Sequence, residues 1–141
     1  MSYENKLKEL GVNLPEAKAP VGNYVAAKIS GKMLFISGQI SIDENGQLIK
    51  GKVGKDLDTQ AGYDAAKRCA LSIVAQVKKA CDNDLSKIKS CVKLTGFVNS
   101  TEDFTDQPKV INGASDIIAK IFSEKGTHTR AAVSTNSLPL G

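Results

Sequence analysis

One arginine lies where a side chain of its type could bind an anionic ligand. Arg130 is set in residues 129–133, Thr-Arg-Ala-Ala-Val, an apolar stretch whose small neighbours leave the guanidinium accessible. The planar guanidinium presents parallel N–H donors that match the two oxygens of a carboxylate. The segment is therefore either a carboxylate-binding strand or an edge strand whose arginine extends its charged end into solvent.

Other residues with possible chemistry are spread along the chain. Residues 37–39, Ser-Gly-Gln, interrupt a strand pattern with Gly38, which either lets a ligand or another backbone approach closely or bends the sheet. Tyr24 either offers its phenol to a pocket or packs at a sheet edge. Asn112 lies beside Gly113 on a predicted helix, where its amide either reaches a pocket or marks a local irregularity.

The histidine and cysteine content excludes two large classes of site. His128 is the single histidine, and we expect it to be a solvated turn residue that faces away from Arg130. The three cysteines form no Cys-x-x-Cys pair and are too few, with one histidine, for a tetrahedral zinc site or a histidine-based triad. Cys91 begins an apolar strand and is expected to be a core residue. We expect reduced thiols and no bound metal.

Composition indicates one ordinary globular domain. The chain has 141 residues, of which 41% are hydrophobic and 24% charged, so one core accounts for its whole length. The net charge of +4 comes from scattered basic residues, and aromatics are only 5%, which argues against nucleic-acid binding. No apolar segment is long enough for a membrane span or resembles a signal peptide. We therefore expect a cytoplasmic protein that does not bind membranes.

Hydrophobic periodicity and turn residues predict the order β-β-β-α-β-α-β after a peripheral N-terminal helix over residues 3–10. Asp58 or Thr59 caps the first long helix, and Pro108 lies in the first turn of the second. Gly96 is expected to form a bulge. The predicted strands span residues 24–29, 33–37, 39–43, 88–99 and 129–135.

This order predicts a mixed α+β sheet with both long helices on one face. The opposite face then has no cover within the chain. An apolar sheet face without a cover favours self-association.

Taken together, the segments resemble the RidA family, which is also called YjgF-like and has been labelled L-PSP endoribonuclease or translation-initiation inhibitor. Single motifs are short, but their order and spacing are specific to the family. The resemblance covers about residues 20–141, and it rests on residues 20–24 (Pro-Val-Gly-Asn-Tyr), 34–40 (Leu-Phe-Ile-Ser-Gly-Gln-Ile), 92–98 (Val-Lys-Leu-Thr-Gly-Phe-Val), 103–104 (Asp-Phe), 130–133 (Arg-Ala-Ala-Val) and 138–139 (Leu-Pro).

The resemblance implies a chorismate-mutase-like fold and a homotrimer with its sites in clefts between subunits. It also implies hydrolysis of 2-aminoacrylate- and 2-aminocrotonate-derived imines, 2-iminopropanoate and 2-iminobutanoate, to 2-oxo acids and ammonia. Neither a metal nor an organic cofactor is implied. The whole chain is then a single domain, with residues 1–19 as an N-terminal extension.

The resemblance also assigns roles to individual residues. Arg130 matches the arginine that holds the substrate carboxylate. Ser37 and Gly38 match the pocket strand, and Tyr24 matches the pocket tyrosine. Asn112 is the best match for a pocket asparagine.

Two positions depart from the family pattern. Ala132 stands where many members have cysteine, and since the contact there is attributed to the backbone, Ala132 and Gly38 are expected to orient the imine through peptide groups. The glutamate that positions water belongs to a strand after residues 138–139, which we expect to be missing after residue 141.

Two other functions fit the same residues. One is an endoribonuclease or translation inhibitor, against which the dispersed basic residues argue. The other is a non-catalytic trimer that binds a small carboxylate, such as a 2-oxo acid, at Arg130.

Overall fold

The computed structural model describes residues 1–141. Its three α-helices are α1 (Tyr3–Glu9), α2 (Thr59–Ala80) and α3 (Gln107–Phe122). Its four strands are β1 (Ala27–Ser30), β2 (Met33–Ile36), β3 (Lys93–Asn99) and β4 (Thr129–Thr135). Short 3₁₀ turns follow α2 and α3, at Leu85–Lys87 and Ser123–Gly126.

Capping residues set the starts of the long helices where the sequence predicts them. The carboxylate of Asp58 accepts a hydrogen bond of 2.8 Å from the backbone N–H of Ala61, which fixes the first turn of α2. Pro108 occupies the first turn of α3, where a missing N–H costs no hydrogen bond. The predicted starts of both helices are confirmed.

The strands pair in two separate ladders. β1 and β2 form an antiparallel hairpin around Gly31, whose φ of 59° suits a tight turn. β3 and β4 run parallel, with Lys93 paired to Thr129 and Asn99 to Thr135. The hairpin packs on α2 and the parallel ladder on α3, while the two helices pack on each other. The α+β class is confirmed, with two small sheets instead of one mixed sheet.

The predicted third strand over residues 39–43 does not form. The segment makes a single antiparallel bridge, between Ile42 and Leu48. Its chain reverses because the Asp43 carboxylate accepts hydrogen bonds from the backbone of Asn45 and Gln47, as in an Asx turn. Backbone groups of this segment therefore bond locally and do not extend either ladder.

The N-terminal helix belongs to the core, so the prediction that it is peripheral is wrong. Leu7 of α1 is buried in the same apolar cluster as the long helices. The ring of Tyr3 meets that of Phe122 edge to face, with centroids 4.8 Å apart. The carboxylate of Glu4 accepts a hydrogen bond from the backbone of Leu85. Helix α1 thus packs on the end of α3 and on the 3₁₀ turn that follows α2.

Gly96 does not form the predicted bulge. It pairs with Ala132 in an uninterrupted register. A side chain at this position would collide with Ile111 of α3, so the glycine lets the helix lie close on the ladder. The ladder therefore passes straight beneath α3, which brings β4 and α3 side chains together.

None of the helices combines the length and the apolar character that crossing a bilayer requires.

Candidate active site

The side chain of Arg130 points from β4 toward α3. Its Nη1 atom donates hydrogen bonds to Oδ1 of Asn112 over 2.8 Å and to Oγ of Ser115 over 3.2 Å. The side chain is half-buried, so the guanidinium does not extend freely into solvent. The structure thus brings together two of the residues that the sequence singles out, Arg130 and Asn112.

Two properties of α3 place the partners of Arg130. Asn112 and Ser115 are three residues apart and therefore share a helix face. Gly113 lies between them on the opposite side, against the backbone carbonyl of Tyr63 on α2, with no room for a Cβ atom. Gly113 therefore marks a close contact between α2 and α3, and the Asn112-Gly113 sequence is not an irregularity in α3.

His128 completes the group, and the expectation that it is a solvated turn residue facing away from Arg130 is wrong. Its Nε2 atom lies 2.9 Å from Oγ of Ser115, and its Nδ1 atom lies 2.6 Å from the carbonyl oxygen of Gly126. Positions two apart along an extended chain face the same side, so the imidazole and the guanidinium both reach Ser115. Ser115 was not a candidate from the sequence. The two-residue spacing of His128 and Arg130 was the signal for their shared side.

The positive charge of Arg130 has no carboxylate partner within the chain. The three ion pairs all lie elsewhere on the surface, and the acceptors that Arg130 contacts are a neutral amide and a neutral hydroxyl. Its Nε and Nη2 atoms donate no hydrogen bond. A half-buried cation with a free pair of donors is suited to an anionic ligand, and a carboxylate matches that pair in shape.

The backbone of Ala132 faces the open edge of the ladder. The N–H of Thr129 donates to the carbonyl of Val92, next to β3, over 3.0 Å. Because peptide groups alternate along a strand, Ala131 is directed toward β3, while the peptide groups of Arg130 and Ala132 are directed away from it. A ligand held by Arg130 would therefore find free backbone donors and acceptors alongside.

The remaining predicted residues lie on the hairpin side of the molecule. The backbone N–H and hydroxyl of Ser37 donate to the carbonyls of Ala26 and Val25 over 2.9 and 2.6 Å. Tyr24 is 56% exposed, and no atom of the chain lies near the place where a Cβ at Gly38 would stand. No hydrogen bond within the chain joins these residues to Arg130, so one chain presents the predicted site in two parts.

The cysteines lie outside this group and behave as core thiols. Burial raises the pKa of the Cys69 thiol to about 11, and burial is also the main cause of the raised pKa of Cys91. Both are half-buried and unpaired. No three His, Cys, Asp or Glu side chains lie close enough together to hold a metal ion.

Comparison with known proteins identifies the family of the chain. The sequence model of the family described as "YjgF/chorismate mutase-like, putative endoribonuclease" matches residues 4–141. The chain belongs to this family. The resemblance to YjgF-like proteins drawn from the short motifs is therefore confirmed, and the match extends through α1.

Three relatives illustrate the range of similarity. Protein TCP17 of Trypanosoma cruzi is 44% identical over 96% of this chain and 84% of its own. A crystal structure from Shewanella oneidensis with the same endoribonuclease description is 36% identical, covers 99% of this chain and 92% of its own, and superposes with a TM-score of 0.94. The 2-iminobutanoate/2-iminopropanoate deaminase of Rattus norvegicus is 28% identical over 92% of this chain and 80% of its own.

Proposed function

We propose that the protein is an imine hydrolase that converts 2-iminobutanoate and 2-iminopropanoate to 2-oxo acids and ammonia. The observation that carries the proposal is the guanidinium of Arg130, which is half-buried, free of any carboxylate of the chain and held by the neutral side chains of Asn112 and Ser115. These substrates are small acids whose carboxylate fits the free Nε and Nη2 donors. The rat relative is named for the same reaction.

In this reaction the main task of the protein is to orient the imine. A water oxygen adds to the carbon of the C=N bond, and the nitrogen takes up a proton to give a carbinolamine. The C–N bond then breaks as the hydroxyl proton passes to the leaving nitrogen, so the products are the 2-oxo acid and ammonia. Arg130 fixes the carboxylate, and the free peptide groups of Arg130 and Ala132 at the edge of β4 hydrogen-bond the imine nitrogen. Orientation of reactants of this kind accounts for large rate enhancements.

We further propose that a homotrimer assembles the complete site. The ladder face away from α3 is apolar and open, with Phe97 59% exposed and Val133 45% exposed. Contact between such faces in neighbouring copies would bury them. In the trimer, Tyr24, Ser37 and Gly38, which flank the hairpin of one copy, would lie against the Arg130 group of the next. The open space at Gly38 leaves room for that approach.

The test is hydrolysis of 2-iminobutanoate generated in the cuvette from 2-aminobutanoate by an amino acid oxidase. Semicarbazide reacts faster with the imine than with the 2-oxo acid. An imine hydrolase removes the imine, so the semicarbazone forms more slowly when the enzyme is present. We expect this slowing with the wild type and its loss in Arg130→Ala. Arg68→Ala is the matched control because Arg68, the only other arginine, bonds to the carbonyl of Ile42.

Either of two outcomes would favour a different function. Saturable binding of 2-oxobutanoate without imine hydrolysis would identify a carboxylate-binding protein that is not an enzyme. The endoribonuclease description of the Shewanella relative is the reason to measure RNA cleavage in parallel. Cleavage that is lost with Arg130→Ala and falls steeply with added salt would favour that activity.

A further inference from the structure

A chain of four groups runs from the guanidinium of Arg130 into the protein. Nη1 of Arg130 lies 3.2 Å from Oγ of Ser115, which lies 2.9 Å from Nε2 of His128. Nδ1 of His128 lies 2.6 Å from the carbonyl oxygen of Gly126. The proposed reaction uses Arg130 and its contact with Ser115 but leaves His128 without a role.

For a neutral imidazole, the chemistry of each group gives the direction of every hydrogen bond in this chain. The carbonyl of Gly126 only accepts, so Nδ1 of His128 carries the proton. Nε2 of the neutral ring is then an acceptor, and the hydroxyl of Ser115 must donate to it. That leaves the lone pairs of Ser115 to accept from Arg130, which only donates. All three bonds therefore point from Arg130 toward Gly126.

The inner end of the chain is firmly anchored. Gly126 is buried at the end of the 3₁₀ turn, and a Cβ there would press on the backbone of Ile118 and Ala119 in α3. The neighbouring carbonyl of Lys125 accepts a 2.7 Å hydrogen bond from the backbone of Cys91. The carbonyl of Gly126 therefore cannot readily shift to follow a movement of the imidazole.

We infer that His128 is a positioning residue that acts through Ser115 to hold the guanidinium of Arg130 in one rotation. Asn112 and Ser115 together occupy the two hydrogens of Nη1. The guanidinium plane is then fixed with its other edge, formed by Nε and Nη2, free as a fork for the substrate carboxylate. Residues of this kind raise affinity by orienting in advance the group that binds. This inference rests on the proposed function.

Two histidine variants separate positioning from mere packing. The side-chain carbonyl of His128→Gln reaches the place of Nε2 and can accept from Ser115, whereas the shorter amide of His128→Asn reaches only the place of Nδ1. Since the carboxylate is held in both the ground and transition states, its loss of alignment raises KM and leaves kcat unchanged. We expect about a tenfold rise in KM for 2-iminobutanoate in His128→Asn and Ser115→Ala, and less than about threefold in His128→Gln.

The control variant is Thr127→Ala, whose side chain is exposed beside His128 and makes no hydrogen bond. It should keep the wild-type KM. A wild-type KM in both His128→Asn and Ser115→Ala, with folding confirmed by circular dichroism, would overturn the positioning role. Equal losses in His128→Gln and His128→Asn would also overturn it, because packing alone would then account for both.

A second measurement does not depend on catalysis. Nitrogen-15 NMR of the imidazole reports which ring nitrogen carries the proton, and separate Nη signals report slow rotation of the guanidinium. We expect the Nδ1–H tautomer and two resolved Nη signals for Arg130, which merge in Ser115→Ala. If the spectra show this tautomer and these signals but the wild type hydrolyses no imine, the proposed function is wrong and the positioning role of His128 is supported. The Nε2–H tautomer would contradict the inference whatever the activity.

Discussion

Arg130 on β4 and Asn112 on α3, 18 residues apart in the chain, are joined by a hydrogen bond of 2.8 Å from Nη1 to Oδ1. The bond holds the cation to a neutral acceptor, so the charge is fixed in place without being neutralised. An aspartate in place of Asn112 would alter this balance with almost no change in shape.

Asn112→Asp should block the anionic ligand. A carboxylate at this position would form an ion pair with Arg130 and reduce its attraction for a substrate carboxylate. We expect KM for 2-iminobutanoate to rise at least about tenfold, which corresponds to about 1.4 kcal/mol, in steady-state kinetics. Asn83→Asp, on an exposed turn, adds the same charge elsewhere and should leave KM unchanged. An unchanged KM in Asn112→Asp would show that the charge of Arg130 is not used.

Gly113→Ala should destabilise the fold. Its Cβ would press on the backbone of Tyr63, which cannot move aside as a flexible side chain could. Forcing α2 and α3 apart in this way costs about 3 kcal/mol, to be measured by urea denaturation. Gly38→Ala is the matched control, because no atom beyond its two chain neighbours lies within 4 Å of the added methyl. Equal unfolding free energies for the two variants would refute the close contact.

Phe97→Glu should prevent assembly. The ring lies on the open apolar face of the parallel ladder, where a carboxylate in an interface would lose its water without gaining a partner. Light scattering of the wild type should give three times the 15.0 kDa chain mass, and of the variant the mass of one chain. Lys67→Glu, on the exposed side of α2, should stay assembled. A monomeric wild type would contradict the proposed trimer.

Cys69 should resist alkylation in the native protein. Burial raises its pKa to about 11, so the reactive thiolate is scarce at pH 8 and increases only as the pH approaches that value. Iodoacetamide labelling followed by mass spectrometry should find Cys69 almost unmodified at pH 8 and fully modified in guanidinium chloride. Rapid labelling of the native protein would show that the Cys69 thiol in α2 is accessible to the reagent, which would contradict this prediction.

The helices and β4 were predictable because local signals specify them. The Asp58 cap, Pro108 and the apolar spacing of α3 act within a few residues, and the predicted bounds of β4 agree with the structure. The third strand was not predictable in this way. Residues 39–43 alternate like a strand. The Asx turn at Asp43, however, reverses the chain, so their backbone groups bond to residues 47–49 and not to a neighbouring strand.

The site was predictable in part. Arg130 and Asn112 followed from residue type and from the family resemblance, and the structure joins them. Ser115 and the inward turn of His128 depend on how α3 lies over β4, which no local pattern specifies. No hydrogen bond within the chain joins Tyr24, Ser37 or Gly38 to Arg130. Only the proposed trimer would join them, and a contact between copies is not specified by local sequence patterns.

The most direct measurement is the dissociation constant of 2-oxobutanoate, by calorimetry, for the wild type, Arg130→Lys and Arg68→Lys. Lysine keeps the positive charge and removes the fork of two parallel donors. We expect Arg130→Lys to weaken binding about tenfold or more, and Arg68→Lys to bind like the wild type. Equal affinity in all three proteins would contradict the claim that the guanidinium of Arg130 holds the substrate carboxylate.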